Sequence, residues 1–310
     1  MWCVLAPLFS ACLRPEATSL FGEPLCPIAF NALQTESNEL LYAIAETNLA
    51  AGACAEDSAS VVWVGRRQAY AWNYTAAVAT FSGGIAAHPG FAPLYRHRGH
   101  RYLTRRNFSL AEGDLAHAAA LMDGGADEWE ADGQPNAANV PLSTLQFNTY
   151  YHLGLARYLQ ADYAGALAAY ERCWRRSQIN DESIAATAYW RYMALRRLGR
   201  DADAEASLAP IHAGMRTLEG GAYLNLTMMF RGQLTPEQVL GKDPSALDLV
   251  TLGYGVAFYY NASGQPEKAA ATLRAVLNTT YWAGFGFIAA EADRHRGSLD
   301  ASTGLLSLKR

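Results

Sequence analysis

The residues with the most chemistry in them lie between Tyr95 and Arg106, in the string YRHRGHRYLTRR, where five arginines and two histidines fall within twelve residues. A guanidinium presents a planar fork of donors that matches a carboxylate or a phosphate, so this run points to an anion, either a ligand or an acidic part of the same chain. Acids follow at Asp123, Asp127, Glu128, Glu130 and Asp132. Five acids against five arginines predict that the acidic segment folds over the basic helix and pairs with much of it. The competing expectation is that a subset, Arg66, Arg96 and His100, stays open to an anionic ligand. His97 and His100 are three apart and would share a helix face with His152, as a metal site needs, but no carboxylate-bearing motif accompanies them and no metal is expected. No GxSxG, Walker, HExxH or GxGxxG element stands in context, and Ser183, Thr187 and Thr251 have no evident base. Neither a catalytic residue nor a cofactor is therefore assigned. An enzymatic alternative stays open, with His100 as acid/base and Glu130 or Asp132 brought in by a lid.

Composition narrows the classes. Of 310 residues, 51% are hydrophobic and 17% charged, the balance of a core-forming chain. A net charge of −4 and a pI near 6.0 argue against nucleic acid as partner, which needs a basic surface. The five cysteines, Cys3, Cys12, Cys26, Cys54 and Cys173, contain no CxxC pair, and their odd number offers no closed disulfide framework. The start, MWCVLAPLFSAC, is short, apolar and ends in small residues before Cys12, like a lipoprotein signal without its positive leader. Export or anchoring through Cys12 and a cytoplasmic location are both open. No apolar run reaches the roughly 20 residues that span a bilayer, so no transmembrane helix is expected.

The elements that must position the basic string emerge from a repeat. Gly65, Tyr74, Ala77, Phe81 and Gly84 are echoed 34 residues later by Gly99, Phe108, Ala111, Leu115 and Ala118, and Gly154, Tyr163, Ala166, Tyr170 and Cys173 restate the order. This period and its alternation of small and aromatic residues resemble the tetratricopeptide repeat (TPR), a helical hairpin that buries its apolar face only by stacking on neighbours. The strings SLFGEPL, GRRQAY, YRHRGHRY, EADGQPN, YHLGLARYL and WAGFGFIAAEAD further resemble a subset of bacterial, often exported, TPR proteins. The fold class implied is all-α, a right-handed superhelical solenoid of TPR-like hairpins with a long irregular insertion. Residues 1–30 read as a signal-like or strap segment, 31–57 as an N-terminal helix and 58–296 as the solenoid. Its repeats fall near 58–91, 92–125, 147–180, 184–217 and 245–278, with an insertion at 124–146. A closing helix at 282–296, with Glu291, Asp293 and Arg294 facing water, precedes a tail at 297–310.

In such stacks the first helix of each pair lines the concave side, and residues four apart point together into the groove. That spacing selects Arg66 and Tyr70, Arg96 and His100, Asn148 and Tyr151, Tyr189 and Arg196, and Tyr254 as ligand-binding residues, with Glu130, Asp132 and Asn136 on the lid. The resemblance implies a binding or assembly role and supplies no catalytic residues. The expected function is a non-enzymatic scaffold whose arginine- and tyrosine-lined groove holds an acidic peptide, a protein tail or a small anion. A structural solenoid of the cell envelope is the alternative.

Overall fold

The computed structural model describes residues 14–51, 57–133, 136, 138–219 and 221–297. Cys12 and the tail beyond Gly297 lie outside them. The helices are α1 (Ala32–Ala51), α2 (Ser58–Tyr70), α3 (Tyr74–Ala87), α4 (Ala92–Thr104), α5 (Phe108–Leu121), α6 (Leu145–Leu159), α7 (Tyr163–Arg176) and α8 (Asp181–Arg197). They continue with α9 (Asp201–Ser207), α10 (Ala222–Phe230), α11 (Pro236–Leu240), α12 (Ala246–Ala262), α13 (Pro266–Leu277) and α14 (Phe285–His295). Two antiparallel pairs of two-residue strands, β1 (Ala17–Thr18) with β2 (Pro24–Leu25) and β3 (Trp129–Glu130) with β4 (Ser143–Thr144), are the only sheet among the described residues. The chain is an all-α, TPR-like solenoid.

One turn design joins the two helices of five hairpins. In each, the middle residue of a three-residue link takes a left-handed conformation: Trp72, Arg106, Ala161, Gly199 and Gly264. The next N–H then reaches back five residues, as from Asn73 to the carbonyl of Gln68 at 2.9 Å and from Asp162 to that of Arg157 at 3.0 Å. This Schellman arrangement satisfies the carbonyls orphaned at the helix end and sends the chain back antiparallel. Only two of the five positions are glycine, so the signature is hard to read from sequence. Asn73 and Asp162 also cap the second helices of their hairpins, which compensates for their poor helix propensity.

The repeat has a steric origin. A Cβ on Gly65 would lie 2.4 Å from the Phe81 ring, one on Gly99 2.8 Å from Leu115, and one on Gly154 2.5 Å from Tyr170. In each case a bare backbone on the first helix receives the large side chain sixteen residues on, and that spacing is what the pattern preserves.

The closing helix differs from expectation. Eight consecutive residues of α14, Gly286 to Asp293, are buried, so the helix has no solvent face and runs inside the superhelix. Gly286 touches α12 so closely that a Cβ would sit 2.0 Å from the Val250 carbonyl oxygen. Glu291 and Asp293, read from the sequence as water-facing, are 2% and 0% exposed; only Arg294 is exposed. Glu291 accepts from Arg106 at 2.6 Å and from the Leu20 amide at 2.6 Å. Asp293 pairs with Arg197 and accepts from the Tyr254 phenol at 2.8 Å. These counter-charges stand on the α4–α5 turn, the end of α8 and α12, so α14 ties together repeats far apart in the chain.

The segment before α1 is strapped on at the same level. The Glu16 carboxylate accepts from the Thr75 amide at 2.7 Å, and its carbonyl accepts from Arg105 Nε at 3.1 Å. Trp282 stacks edge-on against Trp72 with ring centroids 5.1 Å apart, which brings the last hairpin against the first. Cys26 in this segment is disulfide-bonded, whereas Cys173 is buried and free. No described helix is long and apolar enough to cross a membrane.

Candidate functional site

With α14 filling part of the inner channel, the remaining concave space is a cavity of about 540 Å³. Its walls come from the first helices α2, α4 and α6, the start of α8, the segment leading into α10, and the insertion between α5 and α6. Phe285, at the first turn of α14, closes the floor. Such a volume suits a small molecule or a chain end rather than an extended peptide.

The insertion is held over the cavity by its own backbone. Asp127 accepts from the Gln146 amide at 3.0 Å and from the Thr144 hydroxyl at 2.6 Å, and Thr144 caps α6. The β3–β4 ladder then pairs Trp129 with Thr144 and Glu130 with Ser143. Further on, Arg66 donates to the Ala131 carbonyl at 2.8 Å and Arg67 to that of Gly133 at 2.7 Å. Gly133 lies on the Tyr70 ring, where any Cβ would collide.

The basic helix is neutralised otherwise than composition suggested. Arg98 forms a two-pronged pair with Asp114 of α5, at 2.7 and 2.8 Å. Arg105 and Arg106 turn to the strap and to α14. Asp123 reaches the exposed Arg172, and Asp127 is spent on capping. Of the five matched acids only Glu130 meets this helix, lying 3.0 Å from Arg96 and 3.6 Å from His97 Nε2. One arginine has no such partner: Arg101 makes no hydrogen bond and no ion pair, and rests over the Tyr74 ring at 5.5 Å with the cavity in front of it. Arg96 also leaves its Nε–H without an acceptor.

Three imidazoles complete this side. His152 donates from Nδ1 to the Asn148 carbonyl at 2.6 Å, and its ring centroid lies 4.3 Å from that of His100; Phe285 packs 5.4 Å from His100 and 5.5 Å from His152. Burial, with the neighbouring guanidinium groups, pushes His97, His100 and His152 well below 6.5. All three are thus neutral at neutral pH. Burial also lowers Arg101 and Arg96, because a guanidinium out of water needs an anion to offset its desolvation.

Of the residues selected by spacing, Arg66, Tyr70, Arg96, His100, Asn148 and Tyr151 line the cavity, together with Glu130 and Asp132. Asn136 does not; its side chain accepts from Ala138 and Val140 and organises its own loop. Tyr189 is packed under Phe230 and Tyr223. Tyr254 binds Asp293 because α14 covers the groove there. Arg196 points outward to Asp201 at 2.9 Å and to the Tyr192 hydroxyl. Nor does the His100 acid/base pair form, since Glu130 goes to Arg96 and His97 while His100 faces rings. Among the described residues no group of three metal-ligating side chains converges.

Spacing missed Arg101, yet a signal existed: the 34-residue shift places it on Arg67, whose guanidinium donates to the insertion at Gly133. The acidic wall opposite was also missed. Glu182, at the start of α8, accepts from the Leu218 and Glu219 amides at 2.7 and 3.1 Å, so Glu182, Glu219 and Asp132 share one side of the cavity.

No protein-family model matches the sequence, and no curated protein is similar to it. Among solved structures, the chain is similar to YrrB, a TPR protein with an unusual peptide-binding site, at 14% identity and a TM-score of 0.42 over 76% of this chain and 91% of that one. It is also similar to the APC/C hetero-tetramer Cut9–Hcn1, at 13% and 0.49 over 83% of this chain and 47% of that one. The P58(IPK) TPR domain matches at 11% and 0.23, over 87% and 99%. At these identities the likeness carries no argument about ligand; the fold rests on the chain's own helices and turns.

Proposed function

We propose that this protein is a non-enzymatic binding protein and that its cavity holds a small anionic ligand against Arg101, with Arg66 and Arg96 beside it. The observation that supports this most is Arg101 itself, a half-buried guanidinium on the cavity wall that meets no acceptor from its own chain. A partly desolvated charge without a partner costs the empty protein some stability, and an incoming carboxylate or phosphate would offset that cost. An acidic peptide would fit only by one end, because α14 occupies the rest of the channel.

Replacing Arg101 by Gln tests the reading. Titration calorimetry with inorganic phosphate, citrate and glutarate at low salt should give an affinity lower by roughly 10- to 150-fold, the worth of one charge-assisted hydrogen bond of about 1.5–3 kcal/mol. The empty variant should melt at the same temperature as the wild type or higher, as expected of a residue kept for binding rather than folding. Equal binding by both proteins, or an unfolded variant, would overturn the assignment.

A further inference from the structure

The cavity is lined by charged groups of both signs, several of them without an ion-pair partner. On the α4 side stands Arg101 with no acceptor, beside Arg96, which is 6% exposed and leaves its Nε–H unbonded. Asp132, Glu182 and Glu219 line the same space without an ion pair, Glu182 bonded by two amides and Glu219 exposed to solvent. The acidic wall is built rather than incidental, since two consecutive amides of the 208–221 segment hold Glu182 in place. Arg66 gives one of its donors to the Ala131 carbonyl, and its charge acts on Asp132 without forming an ion pair. Desolvation, with repulsion from Glu130 at Asp132 and from Glu182 and Asp132 at Glu219, holds both carboxyls above the usual carboxylate range.

From this arrangement we infer that the ligand is a zwitterion, an amino acid or short peptide whose carboxylate meets Arg101 and whose ammonium group meets the wall of Asp132, Glu182 and Glu219. The inference rests on the anion reading above and adds the second pole. A dianion would satisfy Arg101 but drive its other charge toward three carboxylates. A diamine would do the reverse. Only a molecule with one charge of each kind meets both walls at once, and about 540 Å³ accommodates one of a few residues at most. Between the poles, His152, only 4% exposed, turns an unoccupied Nε2 acceptor to the cavity, matched to an N–H of an amide or ammonium group.

The test uses the full chain with ω-aminocarboxylates of four to eight carbons, the dicarboxylates of equal length and triglycine, each titrated by calorimetry. Wild type should bind at least one aminocarboxylate or triglycine tenfold more tightly than the matching dicarboxylate. The double variant Asp132→Asn/Glu219→Gln should weaken that binding tenfold or more, yet leave dicarboxylate affinity unchanged or raised. Arg101→Gln should lose both. If dicarboxylates bind as well as the zwitterions and the double variant only tightens them, the second pole is refuted while the anion site stands. If no probe binds, phosphate included, and Arg101→Gln changes nothing, both readings fall. Circular dichroism confirms that each variant is folded.

Discussion

Replacing Asp293 by Asn should be among the most destabilising single changes available, because it removes a buried counter-charge at almost constant shape. Asp293 is 0% exposed and its partner Arg197 has a side chain 4% exposed. Asn keeps an oxygen for the Tyr254 phenol, so the loss falls on Arg296, which also pairs with Asp293, and above all on Arg197, left as an uncompensated cation among Tyr158, Tyr163 and Phe258. Breaking such a pair costs about 3–5 kcal/mol, which in a chain of this size lowers the melting temperature by on the order of 10 °C. Urea titrations followed by far-ultraviolet circular dichroism and by tryptophan fluorescence measure it, and coincidence of the two probes checks that one transition is observed. The double variant Arg197→Met/Asp293→Leu should lose less than the single one, since packed apolar groups carry no desolvation cost. A loss under about 1 kcal/mol for Asp293→Asn, or a double variant worse than the two singles combined, would refute the account of α14 as an ion-paired core element.

Acid should weaken the fold above the range in which carboxylates titrate. His97, His100 and His152 are held below 6.5 in the folded chain, so the unfolded chain binds more protons once pH falls below that value. Their contribution is complete above 6.5 and declines below it, by up to about 1.4 kcal/mol per pH unit for each ring. The urea midpoint should drop between pH 6.5 and 5, and His152→Gln should flatten the slope; a midpoint constant from pH 7.5 to 5.5 would contradict neutral buried imidazoles. Ala161→Gly should stabilise by about 0.5–1 kcal/mol, since Ala161 holds φ 64° where Gly199 and Gly264 serve in other turns. Arg106→Gly should do the opposite despite the same backbone relief, because Arg106 also pairs with Glu291; thermal melts of the two variants in parallel check both signs.

The hairpins were legible because Gly65, Gly99 and Gly154 answer to a local requirement: the large residue each accommodates sits at a fixed distance along the chain. The path of α14 was not. Its acids look like a water-facing stripe until their cations are known, and those lie 185 and 96 residues away. The same limit applies to the acidic insertion. Counting charges matched it to the basic helix, but hydrogen-bond geometry uses Asp127 as a cap and sends Asp123 to another repeat. Within the site, one-turn spacing picks out Arg66, Arg96 and His100, whereas Tyr189 and Tyr254 failed as groove residues because α10 and α14 cover them. Arg101 emerges only when the partners of the other arginines of the basic string have been identified, which needs coordinates.

The tie from Arg106 and Arg197 to α14 changes how such a molecule should assemble. Ordinary stacks of hairpins can grow from any point, each unit resting only on its neighbours. Here α14 seats inside hairpins synthesised well before it, so their lock arrives only after the later repeats have been made and the early units wait half-finished. Removing the final fifteen residues of the described chain should therefore loosen the opposite end first, in the manner of a keystone rather than a last bead on a string.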